Sequence, residues 1–265
     1  MNFGKYSLCV NRKACNDGVR GELGLFPVYF DVILNIVKYA TRLHNLPPGS
    51  LLKTAYLSNV ELDKKGIKTW YTGFKEILKN ITDKNENDVY NMTTPEILEL
   101  CKQVYVTKWQ QRITQVRSKL NLYSQVKSNV YFEEYLNDVS NFKYRQALTK
   151  LRISAHPLEI ERGRYYRPVI PRDQRICKCC QLNVCDDEQH FLTQCNFHQT
   201  ERIELFKILE TSCPNFINLS AKDKVVYMLS SEGKLVIEIG KFCYINFEKR
   251  KQSQLQVMQQ GQGQG

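Results

Sequence analysis

Residues 175–195, RICKCCQLNVCDDEQHFLTQC, hold five cysteines and one histidine. Thiolates and imidazoles at that density are the donors of a zinc site, and a structural zinc takes four protein ligands. Spacing selects Cys177, Cys180, His190 and Cys195, a Cys-x2-Cys-x9-His-x4-Cys pattern. The Cys-x2-Cys turn lets two thiolates bite one ion, and His-x4-Cys sets the other two ligands about one helical turn apart on a short helix. With every position filled by protein, no place is left for an activated water, so the metal is expected to be structural rather than catalytic.

The remaining donors are excluded by the same reasoning. Cys185, His190 and Cys195 match the last three ligands of a Cys-x2-Cys-x4-His-x4-Cys knuckle, but its first ligand would fall on Leu182. His198 in place of Cys195 leaves seven residues between the two histidines, wider than the usual three to five. Cys179, between the knuckle ligands, is expected to point away. Lys178 and Arg175 would help keep the thiols ionised. Asp186, Asp187 and Glu188 read as the acidic start of the short helix, where the helix dipole favours negative charge. They do not read as a polymerase Asp-Asp turn, because Val184 stands where that turn carries an aromatic residue.

A second chemistry lies just upstream. Residues 141–175 hold Lys143, Arg145, Lys150, Arg152, Arg162, Arg164, Arg167, Arg172 and Arg175 against Glu159, Glu161 and Asp173, with Tyr144, His156, Tyr165 and Tyr166 interleaved. Arginine forks take phosphates bidentately, and tyrosine rings stack on unpaired bases. The nine basic residues, with Tyr165 and Tyr166, are the candidate nucleic-acid contacts. A bland alternative is a solvated helix face with long stems lying on the core. Nothing in the spacing specifies a base, so the expectation is affinity rather than sequence discrimination.

The elements that must position these groups read as helices. The chain has 265 residues, a net charge of +11 and 42% hydrophobic residues, which fits a folded domain and favours a polyanionic partner. Apolar residues recur at helical spacing from Phe26 to about His44, and again over 50–62, 69–81, 197–211 and 221–250. TTPEILELCKQVYVTKW starts a helix with Thr93 as cap and Glu96 three residues on, running to about Lys119. The block 141–156 stops at Pro157, and 157–176 reads as extended chain. The expected fold is all-α: a helical region over 1–155, a basic extended segment with its zinc knuckle over 156–196, C-terminal helices over 197–250, and a disordered Gln/Gly tail over 251–265. The start, MNFGKYSLCVNRKAC, lacks an apolar run with a cleavage site. FPVYFDVILNIVKYA is too short and too polar to span a bilayer. Reduced thiols inside the cell, in nucleus or cytoplasm, and no membrane partner are therefore expected.

The stretches KYSLCVNRKACNDGVRGELGLFPVYFDVI, LTKLRISAHPLEIERGRYYRPVIPRDQRICKCC and DDEQHFLTQC resemble the C-terminal, post-polymerase region of non-LTR (LINE-like) retrotransposon polyproteins. The resemblance runs to about residue 250. It is most specific from Leu148 to Cys195 and at GELGLFP. It implies that Cys177, Cys180, His190 and Cys195 are the metal positions and that element RNA or target DNA is the ligand. The reverse transcriptase that precedes this segment in the parent element becomes an implied partner. No aromatic-x-Asp-Asp turn and no histidine-rich endonuclease signature occur here, so neither catalytic activity is carried over.

The resulting expectation is a non-enzymatic, zinc-containing nucleic-acid-binding module. The alternative is a zinc-stabilised protein-interaction scaffold. A remnant nuclease using Asp223, Glu232 and Lys234 is a third reading, and it would need those carboxylates on adjacent strands.

Overall fold

The computed structural model describes residues 2–116 and 118–262, with side chains described as far as Gln256. Among the described residues there is no sheet, only helices and two isolated bridges, Leu23–Phe132 and Ile176–Cys185. The fold is all-α, as the periodicity predicts. Helices α1 (Asn2–Ser7) and α2 (Asn16–Glu22) are followed by α3 (Tyr29–His44), α4 (Leu51–Lys64), α5 (Trp70–Ile81), α6 (Glu86–Tyr90) and α7 (Thr94–Thr114). Short helices α8 (Tyr123–Val126) and α9 (Tyr135–Asp138) lead to α10 (Phe142–Arg152) and α11 (Glu159–Arg162). The last three are α12 (Gln199–Ser212), α13 (Ala221–Leu229) and α14 (Gly233–Gln262).

Helix starts follow local capping chemistry. Asn141 accepts from the Lys143 and Tyr144 amides at 3.0 and 3.4 Å, and Ser220 accepts from Asp223 N at 3.1 Å. Both satisfy amides that the first helical turn leaves unpaired. Thr93 N donates to the Glu96 carboxylate at 2.6 Å, half of the expected capping box. That helix ends at Thr114, short of Lys119.

Two compact units form: Met1–Leu25 together with Arg112–Gly265, and Phe26–Gln111. The boundary expected at 155 therefore falls inside the first unit. The second unit packs Val37, Ala40 and Leu43 of α3, Tyr56 of α4 and Phe74 and Leu78 of α5. The hydroxyls of Tyr56 and Tyr90 share a hydrogen bond of 2.8 Å, and His44 stacks on Tyr90 at 4.2 Å.

The first unit carries every candidate site residue. Its core joins α10 (Leu148, Leu151), Phe191 and Leu192, α12 (Leu205, Leu209), α13 (Val225, Met228) and α14 (Ile239, Phe242, Cys243). Gly24 has φ +62, and a Cβ there would lie 2.6 Å from Phe132 N, so only glycine permits this approach. It adjoins Glu22, a fully buried carboxylate that takes the Arg152 guanidinium at 3.1 Å and a hydrogen bond from Tyr135. GELG is thus a packing motif.

The segment over 157–176 is not simply extended. It contains α11 and a 3-10 turn at Arg172–Gln174, and Leu158, Glu159, Ile160 and Glu161 are buried. The tail expectation also changes. Helix α14 continues through Gln262 because glutamine, leucine and methionine favour helix. Residues 263–265 lie outside the described residues.

Candidate metal centre and basic segment

The backbone bridge Ile176–Cys185 and the bonds Cys177 N→Val184 O (2.9 Å) and Asp186 N→Arg175 O (2.8 Å) fold residues 175–186 into a hairpin. Cys177 and Cys180 sit at its start. Residues on neighbouring positions of a strand face opposite ways, so Cys177 points to one side and Ile176, with its bridge partner Cys185, to the other. That alternation, and not distance along the chain, removes Cys185 from the ligand set. Its sulfur contacts Arg172 O at 3.7 Å instead, and burial pushes its pKa up to about 11.

The other two donors lie on a π-helical turn, His190–Gln194. In an α-helix a separation of five residues turns about 500°, which leaves the two side chains about 140° apart. Here Cys195 N bonds to His190 O at 2.9 Å, the i→i+5 bond of a π turn. The wider turn brings His190 and Cys195 to the same face, which the predicted α-helix would not have done.

All four ligand atoms lie within 4.8 Å of one another. Cys177 and Cys195 sulfurs are 3.9 Å apart, and Cys180 Sγ is 3.4 Å from His190 Nε2. Bonds of about 2.3 Å to sulfur and 2.0–2.1 Å to nitrogen imply tetrahedral edges of about 3.8 Å and 3.6 Å. Two of the six donor separations come close to these edges, and Cys177, Cys180, His190 and Cys195 could hold one metal ion.

Surrounding groups hold this shape. Arg250 of α14 pairs with the buried Asp186 and places its Nη1 3.9 Å from Cys177 Sγ. Asp186 also accepts from Glu159 N at 2.8 Å, tying α11 to the hairpin. Asp187 caps the turn by accepting from His190 N at 2.9 Å. Arg202 donates to Cys195 O. Hydrogen bonds from the thiols of Cys179 and Cys195 pull the Cys177 thiol well below the ordinary range. Cys179 does not point away as expected: its amide also donates to Cys177 Sγ at 3.4 Å. It supports a ligand without belonging to the tetrad.

The acidic run is structural too. Burial alone would raise the Glu188 carboxyl, but His156 at 2.8 Å and Ser154 at 2.9 Å bring it down to about 2. His198 is buried, its Nδ1 2.7 Å from Asn246 Oδ1; burial lowers its pKa to about 4, helped by Arg250. Neither is a ligand.

The basic segment divides. Arg152 is buried against Glu22 and Glu133, the latter at 2.8 Å, and donates to Leu229 O. Arg175 donates to Ile160 O at 2.7 Å and Ile170 O at 3.0 Å, threading past Gly163. Both are framework residues, not phosphate contacts. Arg145 donates to Val139 O at 2.8 Å, and Arg162 donates to Gln254 at 2.8 Å. Arg164 pairs with Glu161 at 3.1 Å. Tyr165 keeps its ring under Lys13 at 4.0 Å and its hydroxyl on Glu161 at 3.0 Å. Tyr166 is half-buried with Lys178 5.4 Å from its ring. Lys143, Arg167 and Arg172 are exposed and Lys150 is half-buried; the Arg167 and Arg172 side chains make no ion pair among the described residues.

The proposed nuclease set is not assembled. Asp223 lies in the first turn of α13, its carboxylate accepting from the capping Ser220 hydroxyl, and Glu232 lies in the link to α14, with no strand near either among the described residues. No helix among the described residues is long and apolar enough to cross a membrane. Comparison with protein-family models, with curated proteins and with solved structures finds no match to this chain.

Proposed function

We propose that this chain is a nucleic-acid-binding module in which a structural zinc ion on Cys177, Cys180, His190 and Cys195 braces a basic loop. Zinc supplies a cross-link among three thiolates and an imidazole, and no protein-free position remains for chemistry. The observation that carries the reading is the loop from Arg164 to Arg172. Arg175 anchors its end to Ile160 O and Ile170 O, beside Cys177, while Arg167 and Arg172 stay exposed. An anchored loop presenting exposed guanidinium groups, with no ion pair among the described residues, is suited to phosphate. The net charge of +11 adds long-range attraction. The resemblance to the segment after the polymerase of non-LTR retrotransposons points to element RNA or target DNA as the ligand. A role in target-primed reverse transcription follows from the same resemblance.

The test is binding of short RNA and DNA strands to the zinc-loaded chain across a salt series. The expected result is an affinity that falls steeply between low and moderate salt, because each neutralised phosphate releases counterions. Absence of binding at low salt would favour the scaffold reading, in which zinc and helices only present a protein surface.

A further inference from the structure

In the larger compact unit, faces of two helices and the segments 9–11 and 155–157 border an open cleft, apart from the four metal-site donors and from Arg167 and Arg172. Lys143 and Lys150 lie seven residues apart on α10, and Tyr244, Glu248 and Lys251 follow at helical spacing on α14. Residues so spaced share one face of a helix. The two helices come close at Gly240, where a Cβ would lie 3.1 Å from Tyr144 O. Further along, the two helices, with residues 9–11 and 155–157, border a cleft of about 750 Å³. Cavities of about 300–1,000 Å³ are the size that encloses small ligands.

The wall is strongly basic. Lys143, Lys150, Arg162, Arg250 and Lys251 line it, and Glu248 is the one carboxylate among its described lining residues. Arg250 is engaged by Asp186, and Arg162 by Gln254. The three lysines have no ion pair among the described residues. Lys150 is half-buried, and burial lowers its pKa against the pull of Cys9 and Glu248. Glu248 offsets this desolvation only in part, and a phosphate in the cleft would add the negative charge that five basic lining residues favour. Beside it, the Tyr244 ring lies 5.6 Å from Lys143 Nζ and offers an aromatic surface on which a base can stack.

We propose that this cavity binds a phosphate-bearing ligand of mononucleotide size, with its phosphate on Lys143, Lys150 and Lys251 and its base against Tyr244. The ligand is either a free nucleotide or the terminal nucleotide of a strand. Only the second case rests on the nucleic-acid reading above. The cavity is distinct from the loop of Arg167 and Arg172, so the two fail separately.

The test titrates the zinc-loaded full chain with adenosine monophosphate, and with oligonucleotides that end in a phosphate or in a hydroxyl. Lys150→Gln and Lys251→Gln are each expected to weaken phosphate-dependent binding about tenfold, the factor one charge-assisted hydrogen bond carries. Arg172→Gln should leave binding of the monophosphate unchanged. Lysine-dependent binding of the monophosphate alone assigns a free nucleotide. A lysine-dependent preference for the phosphate-ended strand assigns a strand terminus. If neither probe responds to either lysine substitution, the cavity is not a phosphate site, whatever Arg172 does to polymer binding. Lys251 is exposed, so its variant reports even if Lys150→Gln disturbs folding.

Discussion

Arg250 joins the last helix to the cysteine cluster: its guanidinium pairs with the buried Asp186 and reaches to 3.9 Å from the Cys177 sulfur. Asp186 is fully buried and Arg250 nearly so. Removing one partner of such a pair leaves an uncompensated charge, which costs about 3–5 kcal/mol. Arg250→Met should lower unfolding free energy by that order in urea titrations. The double change Arg250→Met with Asp186→Leu should recover much of the loss. An Arg250→Met variant as stable as the parent would show that the pair does not support the fold.

Ligand substitutions separate members of the tetrad from bystanders. Cys177→Ser and His190→Ala should lower zinc per chain and reduce thermal stability together, because binding energy of a structural zinc is folding energy. Cys185→Ser should keep its zinc, since that thiol lies on the other side of the hairpin, against Arg172 O. Metal analysis of the purified variants decides it, and zinc missing from the Cys185 variant would mean the wrong four were chosen.

Arginines in the basic segment should divide by function in the same way the structure divides them. Glu22→Leu strands the buried Arg152 and should destabilise by about 3 kcal/mol or somewhat less, Glu133 remaining as partner. Arg167→Gln with Arg172→Gln should leave the melting temperature in place. It should flatten the salt dependence of nucleic-acid binding by about 1.4–1.8 in log–log slope, the share of two phosphates. An unchanged slope would exclude that loop from the interface.

His198 predicts an acid sensitivity with a definite sign. Its ordinary pKa is 6.5 and burial lowers it to about 4. Between those values the unfolded chain binds a proton that the folded chain refuses, so stability falls as the pH drops from 6.5 to 4. The loss totals about 3 kcal/mol at roughly 1.4 kcal/mol for each pH unit. Unfolding of the parent and of His198→Gln, compared across this window, isolates the ring, because protonation of the cysteine cluster is common to both. Parallel profiles would refute it.

Gly24→Ala tests the GELG turn. Its φ of +62 and the 2.6 Å approach to Phe132 N should make even one added methyl cost more than about 1 kcal/mol in chemical unfolding. A neutral outcome would mean that the turn yields at little cost.

The cluster of four donors was legible because it falls within 19 consecutive residues, where spacing along the chain nearly equals spacing in the fold. The helix start at Thr93 was legible for the same reason, while the caps Asn141 and Ser220 came from the structure. The π turn was not legible. Periodicity along the chain does not separate i→i+5 from i→i+4 hydrogen bonding; in the fold Asp187 bonds at the start of the turn and Phe191 and Leu192 pack in the core. The helical continuation of α14 through Gln262 was also missed, since composition suggested a tail while residue-by-residue propensity allows a helix.

By itself the sequence determined an all-α chain, a cluster of donors able to take one metal, and an excess of positive charge. Only the tertiary structure decided which charges are available. Arg152 finds Glu22 at a separation of 130 residues, and Arg250 finds Asp186 at 64. Arg167, Arg172 and the cavity lysines find no such partner among the described residues. A basic side chain looks the same in sequence whether it is framework or binding surface, because its role depends on where a distant carboxylate comes to rest.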